Sequence, residues 1–120
     1  MTYKVVVRSS FRATHKTMMP NGEWEQIHGH DYSVEVCVSG KNLDKFGVLI
    51  DFVVLKNILD RILDNMRDSY LNENPFFRGK IPTAENVARF VFDEISKTVD
   101  LPVEYVKIDE TDGFSAIVSK

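Results

Sequence analysis

The sequence predicts an α+β fold in which one four-stranded antiparallel sheet carries two helices on one face, in the order ββααββ. Three observations predict it. Two long stretches near the N-terminus alternate with a period of two, and two stretches in the middle repeat apolar residues every three or four positions. A second alternating pair then closes the chain around Asp112-Gly113. Strands and helices grouped in this way pack as helices against one face of an antiparallel sheet.

The first strand covers residues 3–15, where Tyr3, Val5, Val7, Ser9, Phe11, Ala13 and His15 share one parity. Pro20-Asn21-Gly22 marks a turn within Met18–Glu25. The second strand runs from about Ile27 to Gly40, with His28, His30, Tyr32, Val34, Val36 and Val38 on one face. Two long strands joined by a loop predict an antiparallel pair. After a connection from Gly40 to Gly47, Asp51 is placed to cap a helix. The stripe of that helix is Phe52, Leu55, Ile58, Leu59, Ile62, Leu63 and Met66. Residues 68–82 read as a loop with Pro75, Gly79 and Pro82, and Thr83 caps a second helix lined by Val87, Phe90, Val91 and Ile95. Strands are expected at about 103–110 and 114–118.

The chain has 120 residues, 43% apolar and 28% charged, so it is read as one domain, 1–120, with a real core. A net charge of -3 with no basic run argues against nucleic-acid binding. Apolar runs such as Val5-Val6-Val7 are far shorter than the roughly 20 residues that span a bilayer. With one cysteine, Cys37, and no signal-peptide pattern, a cytoplasmic protein is expected.

The three histidines carry the chemistry. His28 and His30 lie two apart on a strand and so share a face, and His15 ends the neighbouring strand on its apolar face. Three imidazoles leave one position open on a tetrahedral zinc, the arrangement of a catalytic site. Against this, a histidine on an apolar face is ordinarily a hydrogen-bonded core residue, and His-x-His arises by chance. Spacing alone leaves both readings open.

Six motifs follow in order: Phe11-x-Ala13-x-His15, His28-Gly29-His30-x-Tyr32, Gly47-Val48-x-x-Asp51-Phe52-x-x-Leu55-Lys56, Tyr70-Leu71-Asn72, Pro82-Thr83-x-Glu85-Asn86 and Glu110-Thr111. Together they resemble the 6-pyruvoyl-tetrahydropterin synthase and 6-carboxy-tetrahydropterin synthase family over nearly the whole chain. The resemblance implies the tunnelling fold, a homohexamer built as a dimer of trimers, and Zn²⁺ held by His15, His28 and His30. It also implies a pterin substrate whose 2-amino group and N3 donate to the Glu110 carboxylate, with Thr83, Glu85 and Thr111 nearby. Thr83 is equally explained as a helix cap, and Glu110 as a strand-end carboxylate reaching water. Lys16, next to a zinc ligand, is placed to meet a substrate phosphate or to do nothing specific.

Two departures from the family pattern matter. The cysteine expected a few residues before His-Gly-His is absent from Gly22–Ile27, and Cys37 has the wrong parity to replace it. The Asp-His pair expected before Tyr70 reads Arg67-Asp68-Ser69, which keeps Asp68 as a proton-transfer candidate without the histidine; aligning the pair with Asp64-Asn65 instead needs a gap. Glu25-x-x-His28-Gly29-His30 instead resembles a subgroup with glutamate in place of the cysteine. That subgroup cleaves the side chain of 7,8-dihydroneopterin or its triphosphate to 6-hydroxymethyl-7,8-dihydropterin. Glu23 competes with Glu25 for the role, and either could be a solvated loop residue. The remaining alternatives are the pyruvoyl- or carboxy-forming reaction with an altered proton relay, and a pterin-binding homologue without catalysis.

Overall fold

The computed structural model describes residues 1–120. Strands β1 (Tyr3–His15), β2 (His28–Gly40), β3 (Val103–Thr111) and β4 (Phe114–Ser119) form one antiparallel sheet in the order β1-β2-β3-β4. Helices α1 (Phe52–Asp64) and α2 (Ala84–Thr98) lie on one face, α1 against β1 and α2 against β3 and β4. The predicted architecture is the observed one.

Register explains why one face is apolar. β1 pairs with β2 so that Val7 faces Val36, Phe11 faces Tyr32, Ala13 faces His30 and His15 faces His28. Because side chains alternate, all of these point toward the helices. Phe11 and Tyr32 stack with ring centroids 4.8 Å apart. Cys37 is buried but lies outside the 23-residue core, as its odd parity requires.

Both helices start where the sequence places them. The Asp51 carboxylate accepts from the Val53 and Val54 amides, and the Thr83 hydroxyl from the Asn86 amide. The α1 stripe differs at its first position: Phe52 is 65% exposed, whereas Leu55, Leu59, Ile62, Leu63 and Met66 are buried. The first helical turn lines an open depression with Tyr3, Lys4 and Val5 of β1 and is not covered on its outer side. The 68–82 segment is more ordered than a loop, with short 3-10 turns at Leu71–Glu73 and Pro75–Phe77. Asn74 caps the second of these turns. No helix is long and apolar enough to cross a membrane.

Candidate metal centre

The histidines meet because the β1–β2 register puts His15 opposite His28, with His30 one pleat further along the same face. His15 and His28 bring their Nε2 atoms within 3.2 Å. Their other nitrogens are committed: Nδ1 of His15 lies 2.8 Å from the Pro82 carbonyl, and Nδ1 of His28 lies 2.9 Å from the Gln26 carbonyl. A carbonyl only accepts, so Nδ1 carries the proton and each Nε2 presents a lone pair. Two facing lone pairs repel unless a proton or a cation lies between them.

His30 supplies the third nitrogen. Its Nε2 is buried without a hydrogen-bond partner. Burial holds its pKa below the ordinary histidine value, opposed by Glu110 and assisted by the other two imidazoles, which favours the neutral ring a metal needs. The site residues therefore fit a zinc ion. In tetrahedral coordination with Zn–N near 2.0–2.1 Å, ligand nitrogens sit about 3.3 Å apart, close to the spacing of the His15–His28 pair. The backbone carbonyls that orient the rings act as the outer partners of metal-bound histidines do.

Glu110 comes to the same point from β3, where it continues the face of the buried Val106 and Ile108. A β-bulge falls at this position: Asp109 pairs with Ser115 and Thr111 with Phe114, which leaves Glu110 as the extra residue. Its Oε1 lies 3.3 Å from His30 Nε2 and 3.9 Å from His15 Nε2, without forming a hydrogen bond. The four ligand atoms of His15, His28, His30 and Glu110 all fall within 4.8 Å of one another. Thr111 follows at 3.4 Å from His30 Nδ1.

Glu25 stands on the open side. His15 is fully buried, the His30 side chain is 15% exposed and that of His28 is 35% exposed, so the site opens toward His28. There Glu25 Oε1 lies 3.6 Å from His28 Nε2. Burial tends to raise the Glu25 pKa, but two hydrogen bonds from Thr17 and the nearby imidazoles outweigh it and hold the carboxyl below its ordinary range. Glu23 is exposed, and its amide donates to Asn21 in the turn, so of these two loop glutamates Glu25 is the one beside the histidines.

Other expected residues are distributed around this group. Glu85 and Glu110 line one open depression together with Phe114 and Ala116. Thr83 is used as the α2 cap, which also fixes Pro82 beneath His15. Lys16 is pinned through its backbone by both ends of the Asn72 amide, and its ammonium lies 5.0 Å over the Trp24 ring. Asp68 is exposed at the outer edge of β1, with its amide on the Arg12 carbonyl and φ of 57°. No contact joins it to the histidines.

Thr17 and the two orienting carbonyls are parts of the site that the sequence does not mark, and Tyr32 is marked only by its motif and its face. Tyr32 is fully buried with an unpartnered hydroxyl, and its ring lies 5.5 Å from that of His30. Burial, then Glu110 and Glu25, raise its pKa well above the ordinary phenol value. The parity of Tyr32 with His28 and His30 was the available signal.

The fold and this site have counterparts among known proteins. A dihydroneopterin monophosphate aldolase of Pyrococcus furiosus is 32% identical over 116 residues, covering 94% of this chain and 92% of that protein. A putative 6-carboxy-5,6,7,8-tetrahydropterin synthase of Archaeoglobus fulgidus is 31% identical over 106 residues, 88% of this chain and 86% of that one. The 6-pyruvoyl tetrahydropterin synthase structure of Caenorhabditis elegans superposes with a TM-score of 0.85 at 22% identity, covering 100% and 96% of the two chains. The family profile described as 6-pyruvoyl tetrahydropterin synthase spans residues 4–120. A ββααββ chain matched over nearly its whole length, with its histidines gathered at one end of the sheet, belongs to the 6-pyruvoyl tetrahydropterin synthase family.

Proposed function

We propose that this protein is a zinc-dependent lyase that cleaves the side chain of a 7,8-dihydroneopterin, phosphorylated or not, to give 6-hydroxymethyl-7,8-dihydropterin. The observation that carries the reading is the Glu25 carboxylate 3.6 Å from His28 Nε2, on the open side of the histidine group. That is where a base must stand to meet a substrate entering the site. The similarity to a protein named dihydroneopterin monophosphate aldolase supports the same chemistry.

His15, His28 and His30 would hold the zinc, which supplies Lewis acidity to the substrate's side-chain hydroxyls when bound. Glu25 accepts the proton of the C2′ hydroxyl. The C1′–C2′ bond breaks, C2′ leaves as an aldehyde, and the electron pair on C1′ delocalises into the C6–N5 bond of the ring. Glu25 then returns the proton to C1′, which completes the hydroxymethyl group. Proton acceptance and return by one group balance, so no second acid is required. Asp68 has no step in this scheme.

Glu110 turns its carboxylate to the 2-amino and N3 edge of the pterin, with Glu85, Thr83 and Thr111 around the ring. Lys16, leaning over Trp24 beside the opening, meets a phosphate on C3′. The working form is a homohexamer, a dimer of trimers. It is supported by the unpaired edge of β4 and by exposed apolar side chains, among them Phe114 and Ile117 on β4 and Phe46, Phe52 and Val53 near the start of α1.

Glu25→Ala tests the reading. Loss of aldehyde release with zinc still bound is expected. Full activity in this variant removes Glu25 as the base and with it the proposed reaction.

A further inference from the structure

The segment between β1 and β2 is built to hold one carboxylate. Met18 pairs with Trp24, the Met19 amide donates to the Glu23 carbonyl at 2.8 Å, and the Gly22 amide returns to Met19 at 2.9 Å. This small hairpin extends one residue pair further, because the Glu25 amide donates to the Thr17 carbonyl at 3.0 Å. Thr17 then makes two more bonds to the same partner. Its amide and its hydroxyl both donate to Glu25 Oε1 at 2.8 Å. Oε2 receives no hydrogen bond from the protein.

We propose that Thr17 is the positioning residue that fixes Glu25 against the histidine site and leaves Oε2 as the oxygen that takes and returns the substrate proton. Two donors on one oxygen set both the position and the rotation of a carboxylate, which a single donor does not. The Thr17 amide is fixed by the hairpin, so the hydroxyl is the variable part of the clamp. Thr17 itself stands behind Glu25 and touches no ligand nitrogen. Its effect therefore falls on the chemical step, while substrate binding is left to other groups.

The inference rests on the reading of Glu25 as the base, and the experiment separates the two. Thr17→Val, Thr17→Ser and Glu25→Ala are compared with the unaltered full chain, all zinc-loaded, with 7,8-dihydroneopterin monophosphate as substrate. Thr17→Val is expected to lower kcat on the order of 100-fold, with KM, zinc content and melting temperature unchanged. Thr17→Ser, which keeps the hydroxyl, restores most of kcat. Full kcat in Thr17→Val beside an inactive Glu25→Ala overturns the role of Thr17 and leaves Glu25 standing. Full activity in Glu25→Ala removes the base itself. Equal losses in the Val and Ser variants, or a loss accompanied by loss of zinc, make Thr17 a loop-holding residue and overturn the proposal. A crystal structure of zinc-loaded Thr17→Val gives a readout without turnover. The Glu25 carboxylate is expected to leave its place beside His28, and an unmoved carboxylate contradicts the clamp.

Discussion

His15 and His28, facing each other across β1 and β2, hold their Nε2 atoms 3.2 Å apart while each Nδ1 is bound to a backbone carbonyl. The protein thus maintains two lone pairs at a separation that costs energy without a cation. Metal binding should be coupled to stability, since a ligand that binds only the folded state stabilises it by mass action.

One zinc per chain is expected by metal analysis, with a melting temperature that falls on chelation. At a free zinc concentration about 1,000 times its Kd, the stabilisation is about 4 kcal/mol. His28→Ala is the informative variant, because His28 is the most exposed of the three side chains and its removal disturbs the core least. Zinc binding should fall sharply in this variant. Unchanged stoichiometry and affinity would show that the three-histidine site is not the zinc site.

Glu110→Gln separates two roles for a carboxylate 3.3 Å from His30 Nε2. As a pterin anchor, its replacement raises KM, since a buried substrate edge loses its charged acceptor, by about 2 kcal/mol or more in binding. Zinc content stays at the wild-type value. Loss of zinc in this variant would instead make Glu110 the fourth ligand.

Acid stability depends in part on the opposite face of the sheet. The Tyr105 hydroxyl and the Arg8 guanidinium both donate to Glu35. The Tyr105 hydrogen bond is the larger cause holding Glu35 below its ordinary value of 4.5, and the same bond pushes Tyr105 up to about 12. A depressed carboxyl stabilises the fold above its unfolded pKa, and the contribution disappears as pH falls through the folded value. A raised phenol contributes below pH 10 and loses its contribution as pH approaches 12. Tyr105→Phe is therefore expected to cost about 2 kcal/mol in urea unfolding at pH 7. The cost should shrink below pH 4.5. A cost independent of pH contradicts the assignment.

Light scattering should give a hexamer. A monomer at working concentration would leave the β4 edge and Phe46, Phe52 and Phe114 in water, and would remove the assembly from the account.

Much of this structure is legible in the residue order. Parity alone places His15, His28 and His30 on one face, since side chains in strands alternate without exception in a regular ladder. Asp51 and Thr83 announce both helices, because a short side-chain acceptor before an apolar repeat has few other uses. What stays hidden depends on the third dimension. The parity of Glu110 with Val106 and Ile108 is readable, but the bulge beside it, a register shift between Asp109 and Thr111, has no residue signature of its own. Pro82 and Gln26 act through carbonyls, which every residue possesses. Thr17 looks like an ordinary loop threonine until the hairpin folds its amide and hydroxyl onto Glu25. Phe52 fits the helical stripe by period but sits in an open depression beside the start of β1, a matter of helix placement that period does not record.

The most direct measurement is the mass spectrum of products after zinc-loaded protein is incubated with 7,8-dihydroneopterin monophosphate. The expected result is 6-hydroxymethyl-7,8-dihydropterin with an equal amount of glycolaldehyde phosphate. A product that releases phosphate but retains all side-chain carbons would contradict side-chain cleavage and assign the site to the pyruvoyl- or carboxy-forming reaction.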